Sequence, residues 1–371
     1  MIGHKRFGSR EGGVEVVVTE LAKRMAALGH EVTCYDRSGS DVITGDVTET
    51  RERIVDGVRI VPVKTIDKKG LAAASASYYA TKAAIADKPD VIHFHAEGPC
   101  ACLPMARRAG IRTVATIHGL DWQRAKWGRL GSAYIKHGEK AAAKCADEII
   151  VLSRSAQDYF EQTYNRSTVF IPNGMNPKEY RPADEIEKRW GLEKNSYILF
   201  LGRLVPEKRP ELLIDAFKSI NTTNKRLVIA GGSSDTSEYE RQLHERAKGD
   251  SRILFTGFVT GKPLAELYSN AYCYVLPSDV EGMPMSLLEA MAYGCACVTS
   301  DIPECSDVLA GTGTTFSRGD GSALRDVLAS LLANPANARE LGEKTRMRVE
   351  DNYGWGSVVE RTLRLYEGAS E

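Results

Sequence analysis

Strand-like and helix-like patterns alternate along almost the whole chain, and few folds accept that order. The stretch VEVVVTELAKRMAAL (14–28) sets Val17, Leu21, Met25 and Leu28 on one helical face. Gly29 stops it, and EVTCYD (31–36) reads as a strand. VRIVPV (58–63), an Ala-rich helix (71–86) and DVIHFH (90–95) form the next unit. A helix near 99–109 leads to the strand RTVATIHG (112–119). A basic helix at about 132–146, the strand EIIVLS (148–153), a helix at 154–164 and the strand STVFIPNG (167–174) complete the first half.

The second half repeats the theme. Its strands read as YILFLGR (197–203), KRLVIAGG (225–232), RILFTGFV (252–259), YCYVLPS (272–278) and ACVTSD (296–301). Helices PELLIDAFKSI (210–220) and PMSLLEAMAYG (284–294) open on Pro, and three helices (322–333, 337–350, 355–367) finish the chain. Strands alternating with helices over short loops predict parallel, doubly wound sheets of α/β class. Two such runs predict two Rossmann-like domains, over 1–175 and 176–354, with the helix of 355–371 rejoining the first. The linker is expected within 174–196, which carries Pro177, Pro182 and a run of charges.

A chain of 371 residues has room for two buried cores. Lys+Arg and Asp+Glu both total 49, so the net charge is zero, which argues against a dedicated nucleic-acid binder. No apolar run approaches the length of a membrane-spanning helix, and the start MIGHKRFGSREGG lacks the apolar core of a secretion signal. Eight cysteines form no C-x-x-C pair and are expected as reduced, buried thiols.

Ligands of open α/β sheets bind beyond the carboxyl ends of the strands. Arg203 and Lys208 lie in GRLVPEKRP (202–210), directly after one strand. Two cations there can grip a diphosphate, Arg as a fork and Lys as a point charge. EGMPMSLLEAMAYG (281–294) follows another strand, and its helix start offers N–H groups and a positive dipole end to an anion. Glu281 and Glu289 could each accept hydroxyl hydrogen bonds from a sugar or ribose. Read alone, each loop could equally be a solvated basic or acidic surface.

Together the two loops resemble the donor-site signatures of family-four retaining glycosyltransferases of the GT-B fold. FLGRLVPEKRPELLI and PSDVEGMPMSLLEAMAYG carry the resemblance, and GFV (257–259) and IPNGMN (171–176) fit it. It extends over nearly the whole chain and implies two domains facing across a cleft. It further implies that Arg203 and Lys208 hold the donor diphosphate. Glu281 would meet the donor sugar's hydroxyls, while Gly282, Met283 and Pro284 offer backbone N–H groups to sugar and phosphate. Glu289 would hold the ribose hydroxyls, and Phe258 and Val259 would stand beside the base. In the first half, Gly12 and Gly13 match a Gly-rich loop facing the donor phosphates. His118 matches a histidine near the donor sugar, whereas His93 and His95 are expected to be structural. IHGLDWQRAKWG (117–128) and the opening segment are similar to a bacterial subgroup that includes rhamnosyl- and N-acetylglucosaminyl-transferases of surface polysaccharides.

The implied reaction moves a sugar from a nucleotide-diphosphate sugar to a hydroxyl acceptor, a glycan or lipid-linked intermediate, with retention. The sequence contains no Asp-x-Asp, so no metal and no other cofactor is expected. Residues 106–144 carry nine Lys/Arg against Asp121 and Glu139, with Trp122 and Trp127 among them. An anionic membrane surface is therefore an expected partner, with a cytoplasmic location at the inner face. Two alternatives are a GT-B-fold epimerase of nucleotide sugars and a non-catalytic nucleotide-sugar-binding protein. Because Arg203, Lys208 and Glu281 lie in loops after strands, their substitution is expected to leave folding unaffected.

One departure stands out. Only Met1 and Ile2 precede Gly3, where the family has a complete first strand. A central strand cut short would leave backbone groups unpaired unless a neighbouring element compensates.

Overall fold

The computed structural model describes residues 1–10, 12–39, 51–66, 68, 71–123, 127–221, 224–232 and 237–368. It divides into two compact units: residues 1–174 with 355–371, and residues 175–354. Both are α/β units: the first holds a three-stranded sheet and a four-stranded parallel sheet, the second one six-stranded parallel sheet.

The first unit contains β1 (Thr33–Arg37), β2 (Arg53–Val55), β3 (Val58–Val63), β4 (Val91–His95), β5 (Arg112–Ile117), β6 (Glu148–Val151) and β7 (Val169–Phe170). Strands β1 and β3 pair in parallel, β2 pairs antiparallel with β3, and β4 to β7 run parallel in sequence order. In place of a first strand, Ile2 forms an isolated parallel bridge with Phe94 of β4. Ile2 N–H donates to His93 O at 2.9 Å, and Ile2 O accepts from His95 N–H at 2.8 Å. On the other side Tyr35 N–H donates to Met1 O at 3.2 Å. Met1 and Ile2 thus supply the partners that a longer strand would supply, and Ile2 is buried in the core with Phe94, Ala115 and Ile117. The chain then steps outward to β1 and β3 and returns to β4 on the other side of Ile2. That reversal is a topological switch point, where loops leave a crevice.

The second unit contains β8 (Tyr197–Leu201), β9 (Arg226–Ala230), β10 (Ile253–Gly257), β11 (Cys273–Leu276), β12 (Ala296–Ser300) and β13 (Thr314–Phe316). Their spatial order is β10-β9-β8-β11-β12-β13, every pair parallel. The switch point lies between β8 and β11. Continuous apolar strands such as YILFL and CYVL are buried because helices cover both faces. The helix Pro210–Lys218, for example, buries Leu212, Leu213, Ile214, Ala216 and Phe217.

Several expectations change. The helix expected near 99–109 is two, Glu97–Cys100 and Leu103–Arg108, with Pro104 opening the second. The strand expected over 167–174 shrinks to Val169–Phe170. The short β2 and β13, and the helices Glu185–Trp190 and Pro303–Leu309, are additional to the sequence reading. The expected linker is ordered from its start, since Met175 N–H donates to Tyr353 O and Arg226 reaches Trp190 O. All eight cysteines are free, and seven are buried.

The helix Trp355–Glu367 packs in the first unit. Arg112 donates to Leu365 O, Arg361 to Phe170 O, and the Tyr366 hydroxyl meets His93.

One close approach gives a clear test. Gly138, in the helix Arg129–Cys145, packs so tightly on the segment at Glu97 that a Cβ would stand 1.9 Å from Glu97 O. The struck atom is backbone and cannot rotate away. Gly138→Ala is expected to destabilise by at least about 2 kcal/mol. Gly356→Ala, at an exposed helical position with open space around it, is expected to be neutral or stabilising by up to about 1 kcal/mol. Thermal melts of the two variants decide the matter.

Candidate active site

In the second unit the expected residues gather at the carboxyl ends of β8 to β11. Strand β8 delivers the segment 202–209. Leu204 N–H donates to Gly232 O at 3.0 Å, and Gly202 N–H to Ala230 O at 3.0 Å, so the loop lies against the end of β9. Gly231 makes this approach possible: its φ is +141°, and a Cβ there would sit 1.8 Å from Gly202 O. Buried Leu204 and Val205 anchor the loop, and a 3-10 turn, Pro206–Lys208, turns Lys208 back toward the sheet.

Lys208 and Glu281 meet. Lys208 Nζ donates to Glu281 Oε1 at 2.6 Å, with only 12% and 9% of the two side chains exposed. Ser278 Oγ donates to the same oxygen at 2.7 Å. Two further bonds staple the loops: Asp279 N–H to Glu207 O at 2.8 Å and Arg209 Nη1 to Asp279 Oδ2 at 3.0 Å. This pairing argues that Lys208 and Glu281 carry stability, against the expectation that substitution there leaves folding unaffected. Removing the lysine would leave a largely buried carboxylate without its cation. Arg203 is half-buried at the start of the same loop.

Gly282, Met283 and Pro284 are buried beyond β11 and lead into the helix Met285–Ala292. Its first turn has no side-chain cap, so it still presents main-chain N–H groups. Glu289 is half-buried one turn in, and Tyr268 Oη donates to its Oε2 at 3.3 Å. Phe258 is 46% exposed after β10, with Val259 half-buried beside it. The segments carrying Arg203, Lys208, Glu281, Gly282, Met283 and Pro284 are thus brought to one switch point. Phe258 and Val259 lie further out along the same edge.

The other candidates belong to the first unit. Gly12 is the residue before the helix Gly13–Ala27, again without a side-chain cap. The loop before it is pinned by residues that the sequence reading passed over. Asp36 Oδ1 accepts from Phe7 N–H at 2.9 Å and meets His4 Nε2 at 3.0 Å, while Asp36 Oδ2 accepts from Arg53 at 3.2 Å. Glu15 accepts from Lys5 N–H, and Thr19 Oγ1 from Gly8 N–H. A signal was available: Asp36 closes the strand EVTCYD on a charge at the sheet's carboxyl edge.

His118, 9% exposed, follows β5, and its Nε2 lies 3.1 Å from His95 Nδ1. Burial holds both His93 and His95 well below the usual imidazole range. The segment after His118 is held by two buried acids. Glu97 Oε1 accepts from Asp121 N–H at 3.0 Å, and burial, with Asp121 nearby, pushes the Glu97 carboxyl up. Glu139 accepts from the Trp122 indole at 3.0 Å, from Tyr159 at 2.8 Å and from Tyr164 at 2.5 Å.

The family model described as Glycosyltransferase Family 4 matches residues 11–179, and that described as Glycosyl transferases group 1 matches residues 182–348. The chain is similar to the GDP-mannose-dependent alpha-(1-6)-phosphatidylinositol monomannoside mannosyltransferase of Mycolicibacterium smegmatis. The two are 28% identical over 303 residues, covering 76% of this chain and 77% of the relative. Among solved structures, sucrose-phosphate synthase from Thermosynechococcus elongatus aligns with a TM-score of 0.81 at 25% identity, covering 96% of this chain and 93% of that one. Anabaena HepE in complex with UDP-glucose aligns with a TM-score of 0.78 at 15% identity, covering 98% of each chain, and shares the fold. The two halves of the chain are therefore the two domains of a group 1/family 4 glycosyltransferase of the GT-B fold, and the protein is a glycosyltransferase.

Proposed function

We propose that the protein transfers a sugar, with retention, from a nucleotide-diphosphate sugar to a hydroxyl of a glycan or lipid-linked acceptor in bacterial surface-polysaccharide synthesis. The observation that carries this reading is the joining of the 202–209 and 278–284 loops by the Lys208–Glu281 pair at a sheet switch point. Loops so joined carry a cation in Lys208, a second cation in Arg203 and the N–H groups of a helix start, which supports a shared diphosphate ligand. That is the equipment a leaving diphosphate needs, because its charge grows as the glycosidic bond breaks.

In this mechanism the acceptor oxygen attacks on the face from which the diphosphate departs. A departing phosphate oxygen takes the acceptor's proton. Glu281 orients the donor sugar and keeps Lys208 turned toward the phosphates. Arg203 and Lys208 stabilise the leaving group, Glu289 takes the ribose hydroxyls, and Phe258 and Val259 border the base. Gly12 and Gly13 offer main-chain N–H groups to the phosphates, and His118 meets the donor sugar. The cations do the work that a nucleotide-bound metal does elsewhere. The mannosyltransferase relative is named for a phosphatidylinositol mannoside acceptor, which supports an amphipathic acceptor here.

An anionic membrane surface fits that acceptor. Among the described residues, no helix is long and apolar enough to cross a membrane. On the helix Arg129–Cys145, Lys136, Lys140 and Lys144 line one exposed face beside Arg129 and Leu130, which is 89% exposed. Glu139, the helix's acid, is buried and does not neutralise that face. Arg107 and Arg108 are exposed nearby in sequence, whereas Arg112 is turned inward to Leu365 O and Glu148. Arg124 and Lys126, also counted in this basic stretch, lie outside the described residues.

Three measurements test the reading. With a panel of UDP-, GDP- and dTDP-sugars to find the donor, Arg203→Ala is expected to lower kcat about ten- to a hundredfold with an unchanged melt. Lys208→Ala is expected to lower kcat similarly and also to lose about 3 kcal/mol of stability, part of it regained in Lys208→Ala/Glu281→Gln. Parent kcat in both single variants would remove the diphosphate assignment. Activity is expected to survive excess EDTA, and a loss restored by Mg²⁺ or Mn²⁺ would contradict a metal-free site. Reversing Lys136, Lys140 and Lys144 to Glu is expected to weaken co-sedimentation with anionic vesicles on the order of a hundredfold. Binding indifferent to anionic lipid or to the triple change would exclude that surface.

A further inference from the structure

His118 does not stand alone. His95 lies one strand away in β4, fully buried, with its Nδ1 at 3.1 Å from His118 Nε2. A neutral imidazole has one donor and one acceptor nitrogen, so one of the two rings gives its proton to the other. Which one gives it decides what His118 can offer on its far side.

The surroundings of His95 settle the direction. Its other nitrogen, Nε2, is buried and has no hydrogen-bond partner. A buried N–H left without an acceptor costs more than a buried lone pair left without a donor. The His95 proton therefore belongs on Nδ1, where His118 Nε2 accepts it. His118 must then carry its own proton on Nδ1.

The ring of His95 is also clamped. It stacks on His93 with centroids 4.1 Å apart and planes 29° apart. His93 is held at both nitrogens, by Thr116 Oγ1 at 2.7 Å and by Tyr366 Oη at 2.7 Å. His95 N–H is fixed to Ile2 O. The next residue, Ala96, adopts φ +73° and ψ 159°, a conformation normally left to glycine, with its N–H bonded to Thr116 O at 2.8 Å. That strained conformation persists because the neighbours on both sides over-determine the strand end. Burial keeps His95 and His93 neutral, so neither ring turns into a double donor near neutral pH.

We propose that His95 is a positioning residue that fixes the tautomer of His118, so that His118 meets the donor sugar as an Nδ1–H donor and not as a proton acceptor. This rests on the sugar-transfer reading above only for the identity of the group that His118 meets. The hydrogen-bond direction itself does not depend on it.

Ring ¹⁵N spectroscopy of the ¹⁵N-histidine-labelled full chain reads the tautomer directly, with His118 assigned by the signals lost in His118→Ala. The expected spectrum shows His118 protonated at Nδ1 and bare at Nε2. A parent spectrum with His118 protonated at Nε2 overturns the proposal without any further variant. In His95→Phe, which keeps the ring but not the donor, the Nδ1–H form of His118 is expected to decline. His95→Asn, whose amide nitrogen falls near the place of Nδ1, is expected to restore it. Turnover should follow: a kcat loss of about tenfold or more in His95→Phe at nearly parent KM for the donor, with most of it regained in His95→Asn. Asn no better than Phe in both readouts, with both proteins melting as the parent does, overturns the proposal. A parent that cleaves no nucleotide sugar would instead remove the transfer reading while leaving the spectrum to be read.

Discussion

Parallel strands cannot be joined by tight turns, and this constraint organises everything else in the molecule. Each strand must return through a helix, so all carboxyl ends in a unit fall on one edge. Where the winding reverses, two adjacent strands send their loops apart and leave space between them. In the second unit that happens between β8 and β11, and the space is bordered by residues 202–209 and 278–284. In the first it happens beside Ile2, and the border is made by the loop before Gly13 and by the strand end at His95. The candidate site residues sit where the topology leaves room for a ligand.

At the first of these edges, electrostatics and architecture are one interaction. Glu281 takes a proton donor from Ser278 and a cation from Lys208 on one oxygen. The pair is dry enough that neither partner can be removed without exposing the other's desolvation cost. In the proposed reading, the lysine's positive charge is held against this carboxylate until an anion arrives. A carboxylate in this role is a counter-ion first and a sugar ligand second.

Much of the fold was legible, because buried parallel strands read as continuous apolar runs and their helices carry Pro and Gly at the ends. The strand at 197–201 and the helix at 210–218 are plain for that reason. The short strands β2 and β13 were not, since three residues carry too little periodicity to separate from a loop. In the second unit, the motif residues fall on the loops where strand ends were expected. The partners were harder to see. Nothing in Glu97 or Glu139 distinguishes them from surface acids in sequence, because burial is a property of what packs over them. His95 was read as a structural residue of its strand, and its distance to His118 is set by the stagger of β4 against β5, which spacing alone does not give.

The first unit is interrupted in sequence. Its sheet is complete by Phe170, yet the Tyr366 hydroxyl that holds His93 belongs to a helix encoded after the whole second unit. At ribosomal speeds of about 5–20 residues per second, the roughly 180 intervening residues take on the order of ten to forty seconds to emerge. For that time a nascent first unit exists without the helix Trp355–Glu367, with the His93 ring lacking its outer support and Arg112 without Leu365 O. The histidine stack therefore gains its outer support last in synthesis, and a nascent chain stalled within the second unit would carry its strands without the contacts from Leu365 and Tyr366.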